Sequence, residues 1–348
     1  MATTWRVILL NKQGKEEVED RTVLRVENLK KYFKIKKSFI DRFTQRGQRY
    51  IHAVDGVNFT VGEREILGFV GESGCGKSTM SRAILRLIEP TEGHIYFDGK
   101  DITTMGRREL REHRRYMQMI FQDPFGSLNP RRTVADTLRQ TIRIHKLART
   151  LEEEDRLIWQ TLEEVELNPP DIYWDKYPAS LSGGQQQRVS IGRVLVLHPR
   201  FIIADEPVSM LDVSVRIGVL KLLLKIKEKF GISFIYITHD LSTARYVCDR
   251  IAIMYLGKIV EIGPTEEVLH NPIHPYTKAL LTAVPDIDPN VKVEDVPIKG
   301  YVPVLPGESS ACRFYPRCIF AFERCNSEEP QLREYSEGHF AACFLENG

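Results

Sequence analysis

Nowhere among the 348 residues do about eighteen apolar side chains follow one another. A helix that crosses a bilayer is therefore not expected. The opening residues MATTWRVILLNKQGKEEVED hold one short apolar stretch, Trp5 to Leu10 broken by Arg6, and no small-residue cleavage site. No secretory signal is expected there, the chain is expected to stay in the cytoplasm, and any transport role would then require separate membrane-spanning partners. Net charge is equally thin, with 49 Lys and Arg against 47 Asp and Glu leaving +2. A nucleic-acid binder carries a strong basic excess, so no nucleic-acid partner is expected. Cysteine is scarce too, at six residues, but unevenly placed. Cys75 and Cys248 are isolated, whereas Cys312, Cys318, Cys325 and Cys343 crowd the last tenth of the chain. In a reducing cytosol such a cluster points to a metal or redox site rather than a disulfide framework.

The remaining composition is that of a globular protein with a sizeable core, 42% apolar and 28% charged. Residues 1–21 are a polar, aperiodic lead-in. A first strand is expected over Val23 to Leu29. Lys30, Lys31, Lys34, Lys36, Lys37, Arg42, Arg46 and Arg49 then face a lone Asp41. That segment reads as a solvated basic loop, with contact to anionic lipid headgroups as the alternative. From Val57 short apolar runs alternate with amphipathic stretches, the pattern of an α/β domain. Strands are expected at 65–70, 116–121, 200–205, 232–237 and 250–255. Residues 126–180 carry Arg, Glu and Leu at helical spacing and indicate an inserted helical subdomain. Pro285, Pro289, Pro297, Pro303 and Pro306 mark an extended linker before the cysteine-rich tail.

The strand EILGFV runs into Gly71, Glu72, Ser73, Gly74, Cys75, Gly76, Lys77, Ser78 and Thr79, and a helical MSRAILRLI follows. This fits GxxxxGK[ST] in its strand–loop–helix setting. Glycines let backbone N–H groups curl around phosphates, and the helix N-terminus adds its positive dipole. Lys77 is expected to bridge the β- and γ-phosphates and the Ser78 hydroxyl to ligate Mg²⁺. A second apolar strand ends in Asp205 and Glu206. Asp205 suits the Mg²⁺ shell, and Glu206 suits orienting or deprotonating an attacking water. Gln122 after YMQMIF and His239 after ISFIYIT also stand where apolar runs stop, the side of an open parallel sheet on which ligands bind. Either alone is ordinary loop chemistry.

Leu181, Ser182, Gly183, Gly184 and Gln185 read LSGGQ and open another helix. This is a second anion-binding helix start, with a Ser182 hydroxyl and two unobstructed glycine N–H groups. One nucleotide has no use for two such cradles from one chain, which suggests that this one completes the site of a second subunit.

GESGCGKST, Gln122, LSGGQ, IIADEP, Ser209-Met210-Leu211-Asp212 and His239 together resemble the nucleotide-binding subunits of ATP-binding cassette transporters, in that family's order. FQDPFGSLNPR, YPASLSGGQQQR, HNPIHPYTKALLTAVP and the tail CRFYPRCIFAFERC…GHFAAC are similar to its dipeptide/oligopeptide importer branch. The resemblance implies an α/β P-loop NTPase cassette over residues 22–285, with a helical subdomain at about 126–180 and an antiparallel β subdomain. A Pro-rich linker (286–308) and a cysteine-rich region (309–348) follow it. It also implies ATP and Mg²⁺ as ligands, Phe33 (beside Tyr32) stacked on adenine, and Gln122 in the Mg²⁺ shell and in the loop that senses the membrane domain. Glu206, His239 and Gln122 are the implied catalytic set, and Asp212 lies in a loop that crosses to the partner subunit. The implied partners are two permease subunits, a second and different ATPase subunit, and an extracytoplasmic solute-binding protein. The implied location is peripheral, on the cytoplasmic face of the cell (inner) membrane.

Two departures stand out. Val208 and Met210 replace the usual Thr and Ala of the crossing loop, and Gly192 replaces a helical Ala at a propensity cost of about 1 kcal/mol. A cassette acting on ribosomes or DNA would carry two fused cassettes or a coiled coil. Here about a hundred residues without a heptad run separate Ser78 from Leu181. A P-loop kinase has no use for LSGGQ. The tail's spacing, C-x₅-C-x₆-C-x₁₇-C with His339 before Cys343, is looser than zinc ribbons or small ferredoxins use. By resemblance the four cysteines are expected to hold a [4Fe–4S] cluster, with zinc as the alternative. The solute, whether peptide, oligosaccharide or metal chelate, is not encoded in these motifs.

Overall fold

The computed structural model describes residues 22–35, 50–283, 298–301 and 310–345. The lead-in, the basic residues from Lys36 to Arg49, and 286–297 and 302–308 of the linker lie outside the described residues. The strands are β1 (Thr22–Lys34), β2 (Tyr50–Gly62), β3 (Ile66–Val70), β4 (Glu92–Phe97), β5 (Lys100–Asp101), β6 (Met117–Ile120), β7 (Phe201–Asp205), β8 (Ser233–Thr238), β9 (Arg250–Tyr255), β10 (Lys258–Pro264), β11 (Arg333–Ser336) and β12 (His339–Ala341). The chain divides into two compact units, one holding 67–103 and 238–348 with the N-terminal part to Gly62, the other holding 63–66 and 104–237.

The first unit has an antiparallel sheet of order β2-β1-β4-β5. β3 pairs in parallel with β9, β9 antiparallel with β10, β10 with β12, and β12 with β11. The chain's tail therefore adds two strands beside β10. All five residues of β3 are buried, as a strand covered on both faces requires. Its successor, the helix Lys77–Ile84, packs Met80, Ala83 and Ile84 inward. β1 runs past the expected Leu29 to Lys34. Lys30, Lys31 and Lys34 are thus strand residues paired with Asp55, Val54 and Tyr50, not part of a solvated loop. Their charges stay out of the core: Lys30 Nζ reaches Glu92 at 2.7 Å, and Lys31 Nζ donates to the Glu89 carbonyl.

In the second unit β6, β7 and β8 are parallel neighbours, with Met117 opposite Phe201 and Phe201 opposite Ser233. Helices Val134–Ile144, Leu151–Glu164 and Gly183–Leu195 pack on one another through Leu138, Ile142, Ile158, Leu162 and Val189. Thr133 and Thr150 cap the first two, each accepting from the backbone N–H three residues on. Glu152, Glu153 and Glu154 occupy the first turn of Leu151–Glu164, where the helix dipole favours them. Arg143 forks onto Glu154 with two bonds of 2.7 Å. Among the described residues no helix is long and apolar enough to cross a membrane.

Candidate functional site

The phosphate loop takes its shape from glycines, two of which leave no room for a side chain. Gly76 has φ +109°, and a Cβ there would stand 2.1 Å from the Ala53 carbonyl oxygen. A Cβ on Gly71 would meet the Met254 carbonyl at 2.2 Å. Lys77 opens the following helix with its side chain buried. Its ammonium donates to the carbonyls of Gly71 (2.5 Å) and Glu72 (3.0 Å) and lies 3.5 Å from the Cys75 sulfur. These neutral acceptors solvate the ammonium without cancelling its charge. A curled glycine-rich loop around a buried lysine at a helix start fits a polyphosphate. Burial pushes the Cys75 thiol up, which keeps it neutral beside that lysine. Ser78 and Thr79 are half-buried, and Ser73 and Gly74 face solvent.

Phe33, near the end of β1, is 40% exposed with the Lys31 ammonium 5.2 Å from its ring centre. Its neighbour Tyr32 is engaged inside the unit instead. The Tyr32 ring stacks on His52 at 3.7 Å, and its hydroxyl donates to Asp55 at 2.5 Å. Of the two aromatics, Phe33 has the free face.

The acid pair ends β7. Asp205 is buried, whereas Glu206 turns out of the strand at φ +46°, a left-handed conformation uncommon for a non-glycine residue. Backbone bonds hold that turn: Glu206 N–H to the Ile237 carbonyl at 2.9 Å, and Ser209 N–H to the Glu206 carbonyl at 3.2 Å. The Gln122 amide donates to the Glu206 carboxylate at 3.0 Å, so the structure brings these two together across 84 residues. His239 follows β8 and is exposed, and Asp240 after it caps the helix Leu241–Val247 through Ser242 N–H. In the crossing loop Val208 is buried, Met210 is 53% exposed, and Asp212 stands at the N-cap of helix Val213–Phe230. Arg216 ties that loop down by donating to the Leu211 carbonyl at 2.7 Å.

Ser182 and Gln185 satisfy each other in a capping box. The Gln185 N–H donates to the Ser182 hydroxyl at 3.3 Å, and the Ser182 N–H donates to the Gln185 side chain at 3.0 Å. Ser182 is exposed and Gly183 half-buried. Gly184 is there for packing, since its Cβ would strike Val215 at 2.4 Å.

The tail corrects one expectation. Cys312, Cys318, Cys325 and Cys343 do line one cavity, with Phe314, Phe320 and Phe344 among its walls. Its volume is about 20 Å³, room for a single water. Burial pushes the Cys312 thiol up to about 12 and raises Cys318 and Cys343 as well. Among the described residues no group of three or more His, Cys, Asp or Glu could hold a metal ion. The expected [4Fe–4S] cluster and the zinc alternative are therefore without support among the described residues. His339 is not a ligand in waiting either: its Nε2 lies 2.7 Å from Glu261, a fully buried carboxylate that also accepts from Ile273 N–H, His274 N–H and the Thr277 hydroxyl.

The tail has another use for its polar residues, one that no sequence motif announced. Arg317 forks onto the carboxylate of Glu72 in the phosphate loop at 2.9 and 3.1 Å. Arg313 pairs with Asp55 and donates to the Leu256 carbonyl. The only sequence signal is their setting between cysteines, Cys312-Arg313 and Arg317-Cys318, which drew attention to the thiols instead.

Residues 54–209 match the ABC transporter family, and residues 260–325 match the family described as "Oligopeptide/dipeptide transporter, C-terminal region". The oligopeptide transport ATP-binding protein AppF of Bacillus subtilis is 42% identical over 327 residues, spanning 93% of this chain and 97% of the relative. The chain belongs to the ATP-binding cassette transporter family. Within it, the dipeptide transport ATP-binding protein DppF of Haemophilus influenzae is 38% identical over 329 residues, or 94% of this chain and 98% of that one. A cassette solved as a post-hydrolysis dimer bound to ADP and Pi, MJ0796, matches 70% of this chain and 98% of its own at 30% identity, with a TM-score of 0.60. The cbiO1 protein from Clostridium perfringens, part of the cbiONQ transporter complex, matches 72% of this chain and 92% of its own at 27% identity, with a TM-score of 0.61. The fold is that of the cassette ATPases, with parallel and antiparallel strands together, and the chain is an ATPase of this family.

Proposed function

We propose that the chain is the ATP-hydrolysing subunit of a membrane importer for di- and oligopeptides. The observation that carries this reading is the match of residues 260–325 to the oligopeptide/dipeptide transporter C-terminal region, a segment that lies beyond the ATPase motifs. Relatives named for oligopeptide and dipeptide transport support it over nearly the whole chain.

In this reading the chain's own groups divide the work. Phe33 stacks on adenine, the loop from Gly71 to Thr79 cradles the phosphates, and Lys77 carries the charge opposite them. Ser78, Asp205 and Gln122 would hold Mg²⁺, which would supply positive charge against the phosphate oxygens. Glu206 orients and deprotonates the attacking water, and His239 steadies the γ-phosphate. Ser182 to Gln185 close on the nucleotide of a second ATPase subunit, a different chain, and Asp212 belongs to the crossing contact. Residues 126–180 and Gln122 dock on two permease subunits, which a solute-binding protein supplies from the far side. The ATPase pair then sits peripherally on the cytoplasmic face of the cell membrane. Uptake of labelled di- and tripeptides by cells deleted for this chain is the test. Restoration by the wild-type chain but not by Glu206→Gln is expected, and peptide uptake indifferent to the deletion overturns the peptide reading.

A further inference from the structure

The C-terminal tail grips the nucleotide-binding loops of its own chain at two points. The first is the phosphate loop. Glu72 is its second residue, and three groups hold it: Arg317 by both carboxylate oxygens, the Tyr276 hydroxyl, which accepts from its N–H at 3.0 Å, and Lys77, which its carbonyl receives at 3.0 Å. Arg317 is buried, and its guanidinium lies 5.8 Å from the centre of the Tyr255 ring. A buried guanidinium has given up its water and stays charged, so its desolvation must be offset by a partner of matching geometry, here the Glu72 carboxylate. The second point is the adenine side. Arg313 pairs with Asp55, and Asp55 receives the hydroxyl of Tyr32, the residue preceding Phe33. Phe314, between the two arginines, is buried edge-on against Tyr255 and 5.4 Å from Tyr276, so the strip between the prongs is anchored in the core.

We propose that Arg317 is a positioning residue of the ATP site: by holding the Glu72 carboxylate it fixes the opening turn of the phosphate loop, and through it the tail sets the affinity for MgATP. The mechanism is local. The Gly71 and Glu72 carbonyls orient the Lys77 ammonium, and Arg317 fixes the residue that supplies the second of them. Releasing Glu72 frees that carbonyl to turn away and leaves the lysine less well aimed. The loss falls on nucleotide binding, because the water-activating Glu206 lies elsewhere in the sequence and has its own backbone supports.

This inference rests on reading the loop as the ATP site, and the experiment separates the two. The full-length chain is titrated with MgATP by calorimetry, and its steady-state ATPase is measured, for wild type, Arg317→Met, Glu72→Gln, the double variant, Arg317→Lys and Lys77→Ala. Glu72→Gln keeps the shape of the side chain and removes only its charge, so it decides the matter if Arg317→Met does not fold. Each single change is expected to weaken MgATP binding about tenfold, the scale of one charge-assisted hydrogen bond. KM rises with kcat nearly unchanged, the double variant binds no worse than the weaker single, and Arg317→Lys recovers part of the loss. A tail that merely stabilises the fold would lower the melting temperature and leave KM alone. Folded Glu72→Gln or Arg317→Met with wild-type MgATP affinity, or losses that add in the double variant, overturns the proposal. Undiminished binding by Lys77→Ala would instead overturn the reading of the loop.

Discussion

Gln122 holds Glu206 by a 3.0 Å hydrogen bond, and Glu206 meets it from a left-handed backbone turn at φ +46°. The carboxylate is thus aimed by a side chain and by its own main chain. Glu206→Gln retains an oxygen that can accept from Gln122, so the geometry survives while the basicity is lost. Turnover is expected to fall by ~10²–10⁴, the usual general-base contribution, with MgATP binding kept. Phosphate release alongside a nucleotide titration checks both halves, and unchanged turnover removes Glu206 from that role.

Two glycines of the phosphate loop should respond differently to the same methyl group. At Gly76 an added Cβ meets the Ala53 carbonyl at 2.1 Å on a backbone of φ +109°. At Gly74, with φ +80°, it meets nothing within 4 Å. Gly74→Ala therefore carries only the left-handed penalty, about 1–2 kcal/mol, while Gly76→Ala adds a clash that backbone must absorb. Urea midpoints of the nucleotide-free chain are expected to fall in the order wild type, Gly74→Ala, Gly76→Ala. A Gly76→Ala chain as stable as Gly74→Ala contradicts the packing described.

Gly192 interrupts the helix Gly183–Leu195 with a residue of poor helix propensity, yet its Cβ would sit 3.2 Å from the Thr161 methyl. Thr161 cannot swing aside cheaply, because its hydroxyl bonds the Leu157 carbonyl at 2.7 Å. Gly192→Ala alone is expected to be near neutral, the propensity gain of about 1 kcal/mol offset by the crowding. Against a Thr161→Ser background, which keeps the hydroxyl and removes the methyl, the same change should stabilise by about 1 kcal/mol. Equal effects in the two backgrounds would refute the coupling.

His274 gives the chain an acid-sensitive joint. Burial holds its pKa down to about 4 against the opposing pull of Glu261, and its neutral Nδ1 accepts from Tyr276 N–H at 3.1 Å to cap the helix Pro275–Thr282. The unfolded chain takes up this proton near pH 6.5 and the folded chain only near 4. The folded value is depressed, so this contribution is complete above about 6.5 and is lost as pH falls from there toward 4, by roughly 3 kcal/mol across the window. His274→Asn keeps a capping acceptor without titrating. Its urea midpoint should depend less on pH between 4 and 6.5 than that of wild type, and parallel curves would exclude His274 as the source.

The legible parts of this molecule were those written locally. β3, β7 and β8 are buried along their whole length, so an unbroken apolar run announces each of them. The phosphate loop and the acid pair follow from residue types at fixed spacing. β2 and β10 gave no such signal, because β2 mixes His52, Asp55 and Asn58 into its run and β10 buries Glu261 in its middle. That glutamate is tolerated only through four partners from other segments, which no window of sequence contains. The four tail cysteines misled for the opposite reason. Their number and order suggest ligands, but burial and a cavity of water size are properties of the folded arrangement.

The reach of Arg317 also bears on how the protein is made. Its bond to Glu72 closes a loop of 245 residues, and that of Arg313 to Asp55 one of 258. Synthesis runs from the N-terminus, so the phosphate loop leaves the ribosome long before the arginine that braces it, and contacts of such separation form late in folding. A nascent chain halted in the linker carries Glu72 and Asp55 and neither of the arginines that hold them. On the role proposed for Arg317, full nucleotide affinity follows only after that arginine has left the ribosome and reached Glu72.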